Sequence, residues 1–209
     1  MTSTPARARR TSVGAGLAVA LAALLTLLTA NPASAAVVFA DGFENPVIFN
    51  DFTTFAAGQQ LGPWTVTSGT VDLTRDWQHA EGNQSLDLNG SGPGAVARSL
   101  PTTLLTTYRV RYALAGNPDN GPVVTSGTVT ANGQTIDNLT FDTTGQNPSD
   151  MGYVYRTVYF TNVLSSSTTL RFASTTPSAY GPVIDAVRVE SCLLVVCPAS
   201  ATRTAIRIS

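Results

Sequence analysis

Between residues 108 and 114 the chain alternates strictly: Tyr108, Val110, Tyr112 and Leu114 fall on one face of an extended backbone, Arg109 and Arg111 on the other. Successive side chains of a strand point to opposite faces, so the pattern predicts a half-buried strand, packed on one side and wet on the other. Comparable runs are at 64–67, 70–73, 85–88, 95–100, 123–130, 135–141, 153–163, 168–174 and 183–189. Turn chemistry rich in Gly, Pro, Asn and Asp separates them, as in NGSGPG (89–94), GNPDNG (116–121) and GQNP (145–148). After residue 35, no segment longer than about ten residues holds a helical period without Gly or Pro. Short strands without helices predict an all-β, two-sheet sandwich; spacing alone leaves jelly-roll and immunoglobulin-like orders open.

The first 35 residues follow a different rule. Arg7, Arg9 and Arg10 precede an apolar run from Leu17 to Ala30, then Asn31, Pro32 and small residues to Ala35. This is the layout of a secretory signal, with cleavage expected after Ala35. The apolar run is about 14 residues, short of the roughly 20 that a spanning helix needs. The expected organisation is a signal peptide at 1–35, one β-sandwich domain at 36–191 and a C-terminal tail or edge strand at 192–209. The expected location is extracellular, with no membrane attachment once the signal is removed. Past residue 35 the chain has nine arginines, no lysine and thirteen acids, a net charge of −4. Nucleic acid and anionic lipid need clustered positive charge, so neither is an expected partner.

The two cysteines, Cys192 and Cys197, stand in CLLVVC. In an oxidising compartment they are expected to form a small-loop disulfide that clips the tail. The rival, a zinc site, is poorly supplied without a nearby His.

Three ordered stretches resemble one family: DGFENP (41–46); GPWTVTSGTVDL (62–73) followed by EGNQSLDLNG (81–90); and YRVRYALAGNP (108–118) with GPVIDAVRV (181–189). Together they resemble the choice-of-anchor C proteins of bacteria, which are similar to the plant cell-wall family called domain of unknown function 642. The resemblance implies a galactose-binding-like jelly roll outside the cell, binding polysaccharide or wall material without catalysis. It also implies a structural calcium, held by an acid of the opening GFE turn, Glu44, and by the aspartate of the closing strand, Asp185. Asp185 interrupts the apolar run 183–187; the alternative is that it accepts backbone hydrogen bonds where strands cross. No hydrophobic anchor with a basic tail follows, so release is expected rather than wall anchoring.

Catalysis is thinly supplied, and no catalytic residue is assigned. The one histidine, His79, sits in DWQHAEG, and Ser91 in NGSGPG is no nucleophile elbow. Asp72, Asp76 and Glu81 are close enough in sequence for a glycosidase pair, but loop acids are common. Sugar recognition combines an aromatic face with planar polar groups. The candidates are Trp77 and His79 before Glu81, Asn117 with Asn120 in the GNPDNG loop, and Tyr153, Tyr155 and Tyr159 along one face of 151–160. Arg156 interrupts the opposite, apolar face of Val154, Val158 and Phe160, and Trp64 is expected in the core. The function expected is a secreted, non-catalytic polysaccharide-binding module. A structural matrix protein without glycan binding, and a glycoside hydrolase or esterase, are the other readings.

Overall fold

A computed structural model describes residues 1–2, 35–163, 165–192 and 197. The expected signal peptide falls mostly on 3–34, outside the described residues, as does the tail apart from Cys192 and Cys197. The chain divides into Met1–Ala33 and Ser34–Ser209, and every described strand belongs to the second unit. Among the described residues no helix is long and apolar enough to cross a membrane.

Thirteen strands are described: β1 (Ala36–Asp41), β2 (Phe52–Ala56), β3 (Gln60–Leu61), β4 (Trp64–Ser68), β5 (Thr70–Thr74), β6 (Ser85–Asp87), β7 (Ala95–Pro101), β8 (Thr106–Gly116), β9 (Val124–Ala131), β10 (Gln134–Asp142), β11 (Val154–Asn162), β12 (Ser167–Ser174) and β13 (Pro182–Cys192). They form two antiparallel sheets. The first runs β11-β8-β13-β6-β5-β2, with β1 also on β13; the second runs β10-β9-β12-β7-β4-β3. This is the two-sheet jelly-roll sandwich. Three strands escape the sequence pattern: β1, two-residue β3, and β2 at a sheet edge, whose FTTFA exposes Phe52, Thr54 and Ala56 and half-buries Thr53 and Phe55.

The inward residues of β8, Tyr108, Val110, Tyr112 and Leu114, are buried as the alternation predicts. Trp64 lies fully buried between the sheets, edge-on to Phe39 and Phe172 with ring centroids 5.4 and 5.8 Å away, and stacked near Phe43 at 5.9 Å. Its indole N–H donates to Asp41 at 2.7 Å. Left unpaired, such a buried donor costs roughly 1–3 kcal/mol, which ties DGFENP to the GPW turn.

The other face of β8 is not wet. Arg109 is buried, and its Nε and Nη2 donate to Glu190 at 3.0 and 2.7 Å. Glu190 stands directly opposite it on β13, a partner that alternation within β8 cannot reveal.

β13 explains its own irregular sequence. One edge pairs with β8 along its length; the other pairs with β6 at residues 183–184 and with β1 at 187–191. Between those partners the register shifts and Ala186 takes a φ of 50°. The bulge adds a residue, so Asp185 and Arg188 both face outward while Ile184 and Val187 face the core.

On β11, Tyr155 and Tyr159 are exposed, as expected, while Tyr153 precedes the strand and is partly buried. Arg156 turns inward at the open side of the sandwich. There it pairs with Asp137 of β10 at 2.8 Å, and Tyr112 donates to the same carboxylate at 2.6 Å. Cys192 and Cys197 form the expected disulfide.

Candidate functional site

The motif residues converge on the outer face of the first sheet, and most of them serve the fold. Glu44 Oε1 accepts the N–H groups of Asn83 and Gln84 at 2.8 and 2.9 Å. The Gln84 amide answers, accepting Ile48 N–H at 2.8 Å and donating to the carbonyls of Phe43 and Pro46 at 2.7 and 3.0 Å. Gly82 makes the approach possible: its φ is 65°, and a Cβ there would collide with the Glu44 carboxylate. Asp185 Oδ2 accepts Ala80 and Glu81 N–H at 2.8 and 2.9 Å, and Oδ1 accepts Ala186 N–H at 2.6 Å. Burial pushes Asp185 up to about 7 against those three donors.

A cation clamped by Glu44 and Asp185 needs their oxygens turned towards it. Here both Asp185 oxygens and Glu44 Oε1 meet five backbone N–H groups, whose positive ends oppose a cation. The N–H contacts on Asp185 match the alternative in which it caps backbone where strands part. Among the described residues, no three His, Cys, Asp or Glu side chains group as a metal site.

A second knot joins SLDLNG, AGNP and GPVID. Asp87 Oδ2 accepts the Asn117 side-chain amide at 2.7 Å, and Oδ1 accepts Asn89 N–H at 2.8 Å. Asn89 in turn donates to the carbonyls of Thr176 and Ser178 at 3.0 and 2.5 Å. Burial pushes Asp87 up to about 8, against the hydrogen bonds from Asn117, Asn89 and Gly181 and with the neighbouring Asp72 charge adding to the rise. Asp72 is directly opposite Asp87 in register. It too is raised by burial, although Thr54 donates to it at 2.5 Å.

Above this knot lies a cleft of about 460 Å³. Phe52 of β2 is 56% exposed on one wall, Tyr180 stands on the other, and Trp77 lines it with only 8% of its surface open. Asp72, Asn117 and Asp119 supply polar groups between the rings. The Trp77 indole donates to buried Ser85 at 2.8 Å, so this ring also roofs the sheet.

The sequence candidates divide between two places. Trp77 and Asn117 line this cleft, though the Asn117 amide is already engaged by Asp87 and by Asp119 N–H at 3.0 Å. Asp76 and Ser91 line it too. His79, Tyr153 and Tyr155 line an open hollow of about 490 Å³. His79 Nδ1 lies 3.4 Å from Ser85 Oγ, and burial lowers its pKa. Ser85 is fully buried, so this pair presents no nucleophile. Glu81 lines a different cleft from Asp72 and Asp76, which separates the acids considered for glycoside cleavage. Phe52, Thr54 and Tyr180 were missed; the SAYG turn before GPVID was the available signal for Tyr180.

The fold, two antiparallel sheets packed as a jelly-roll sandwich, recurs in solved structures. The structure is similar to the CBM22-1 xylan-binding domain of Paenibacillus barcinonensis Xyn10C, with TM-score 0.51, 16% identity, and coverage of 76% of this chain and 96% of that one. The CBM22-1–CBM22-2 tandem domain of the same protein gives TM-score 0.51 and 16% identity, covering 76% of this chain and 46% of that one. A family 35 carbohydrate binding module from Clostridium thermocellum matches at TM-score 0.47 and 14% identity, covering 75% and 98%. No curated protein matches this sequence. The family model described as "Protein of unknown function (DUF642)" matches residues 39–190, and the chain belongs to that family.

Proposed function

We propose that this protein is an exported, non-catalytic module that binds a cell-wall or extracellular polysaccharide in the cleft between Phe52 and Tyr180. The observation that carries the reading is the cleft's lining: the aromatic side chains of Phe52 and Tyr180 together with the carboxylates of Asp72 and Asp119. Aromatic faces cover the C–H surface of a sugar ring, and carboxylates and amides take its hydroxyls. The fold shared with carbohydrate-binding modules supports the same reading, and so does the resemblance to choice-of-anchor C proteins. Export is supported by the basic, apolar and small-residue order of residues 7–35.

A glycan array probed with the purified protein and its Phe52→Ala and Tyr180→Ala variants tests this. At least one polysaccharide is expected to bind and to weaken in both variants. Silence across the array, with protein partners recovered instead, supports the matrix-protein reading. Turnover of a glycoside or ester abolished by Asp76→Asn overturns the non-catalytic assignment. Export is tested by sequencing the N-terminus of the released protein, expected to begin at Ala36.

A further inference from the structure

Arg111 and Arg188 are directly opposite each other on β8 and β13, both on the outer face of the sheet. Like charges at directly opposed positions destabilise a sheet unless something neutralises them. The acid available is Glu190, and three arginines share it. Arg109 takes Oε2 through two donors, at 3.0 and 2.7 Å. Arg188 Nε reaches Oε1 at 2.8 Å, and Arg111 Nη2 reaches the same oxygen at 3.3 Å. Arg111 and Arg188 thus share a single oxygen of one carboxylate. Burial alone would raise Glu190, but the bonds from Arg188 and Arg109 and the charge of Arg111 hold it below its ordinary range.

Arg188 and Arg111 keep 41% and 35% of their side chains exposed, and Arg111 Nε is buried without a hydrogen-bond partner. Both line a cleft of about 410 Å³. Tyr155, 72% exposed, forms part of the wall, and Glu81 is the one acid in the lining. Arg156 also lines it but is committed to Asp137. The cleft therefore offers two partly exposed guanidinium charges for an anion, an aromatic side chain, and a carboxylate that accepts hydroxyl donors and repels a second anionic group.

We infer that this second cleft takes a sugar bearing a single carboxylate, a uronate, with the acid group on Arg111 and Arg188. Its hydroxyls face Glu81 and its ring lies against Tyr155. A guanidinium fork matches a carboxylate in two parallel hydrogen bonds, and the lone tyrosine suits a ring's C–H face. The sugar part rests on the glycan-binding reading; the anion part rests on the arginines alone.

The test is calorimetric titration of the purified protein with a glucuronate-terminated oligosaccharide and with the same oligosaccharide after carboxyl reduction. The acidic form is expected to bind at least tenfold more tightly. Arg188→Gln and Tyr155→Ala are each expected to lose most of that affinity, Tyr155→Ala at unchanged melting temperature. Equal affinity for the two forms, or an unchanged affinity in Arg188→Gln, overturns the proposal. Displacement by inorganic sulfate at equal concentration overturns the sugar assignment. The two clefts fail separately: uronate binding that needs Arg188 but survives Phe52→Ala contradicts the first cleft only. Neutral glycans lost in Phe52→Ala, with no preference for the carboxylate, contradict the second only.

Discussion

Glu44 and Gln84 hold each other's loops: the Glu44 carboxylate accepts the backbone N–H of Gln84, and the Gln84 amide spans the backbone of residues 43–48. The glutamate in DGFENP and the glutamine in EGNQ are thus two halves of one fastening. It closes the gap where β1 and β6 share an edge of β13.

Gln84→Ala leaves Ile48 N–H and two carbonyls without their partner. Each orphaned buried group costs roughly 1–3 kcal/mol, so a loss of about 2 kcal/mol or more is expected in urea unfolding. Glu44→Ala in the same background should add less than it does alone, because both changes open the same loops. Full additivity would mean that the loops are held independently.

Chelation is expected to leave the melting temperature unmoved, because backbone N–H groups occupy both Asp185 oxygens and Glu44 Oε1. A drop with EDTA that calcium reverses would show a cation displacing those amides in solution.

Stability should fall as pH rises from about 5 to 8.5. Asp87 and Asp185 bind protons more tightly folded than unfolded, so their contribution is full below the ordinary aspartate value of 3.8. It is lost as pH rises through their folded values, about 8 for Asp87 and about 7 for Asp185. Glu190 and Asp137 act oppositely. Burial would raise both, but arginine contacts outweigh it, so their contribution is lost at low pH. Melting curves across this range should peak on the acid side of neutral, and Asp87→Asn should flatten the alkaline slope. A melting temperature that climbs steadily to pH 8.5 would contradict these assignments.

Trp77→Ala should cost about 3–5 kcal/mol, since it empties a nearly buried site and strips Ser85 of its donor. Tyr155→Ala should change stability by less than about 0.5 kcal/mol, because that ring is largely in solvent. Urea titrations of both variants check the contrast; comparable losses would mean that Tyr155 is a packing residue.

The sequence reveals what repeats within one strand and hides what forms between strands. Tyr108 to Leu114 declared β8 by alternation, and the outward set of Tyr155 and Tyr159 followed from the same rule. The rule failed at Arg109, whose partner lies 81 residues away. It failed also at Phe52, an aromatic on the exposed face of a five-residue edge strand whose other face holds Phe55. Asp185 looked like a break in an apolar run because the bulge at Ala186 shifts the phase within it. The Phe52–Tyr180 cleft was only partly legible. Its Trp77 and Asn117 stood out as an aromatic and an amide in loops, whereas its walls come from separate segments that only the fold brings together.

The most direct test of the account is the affinity of Phe52→Ala for whichever glycan the unaltered protein binds, measured beside its melting temperature. The account predicts at least a tenfold loss of affinity at unchanged stability, because Phe52 is an exposed wall of the cleft. Unchanged affinity in Phe52→Ala would contradict the placing of the glycan in that cleft.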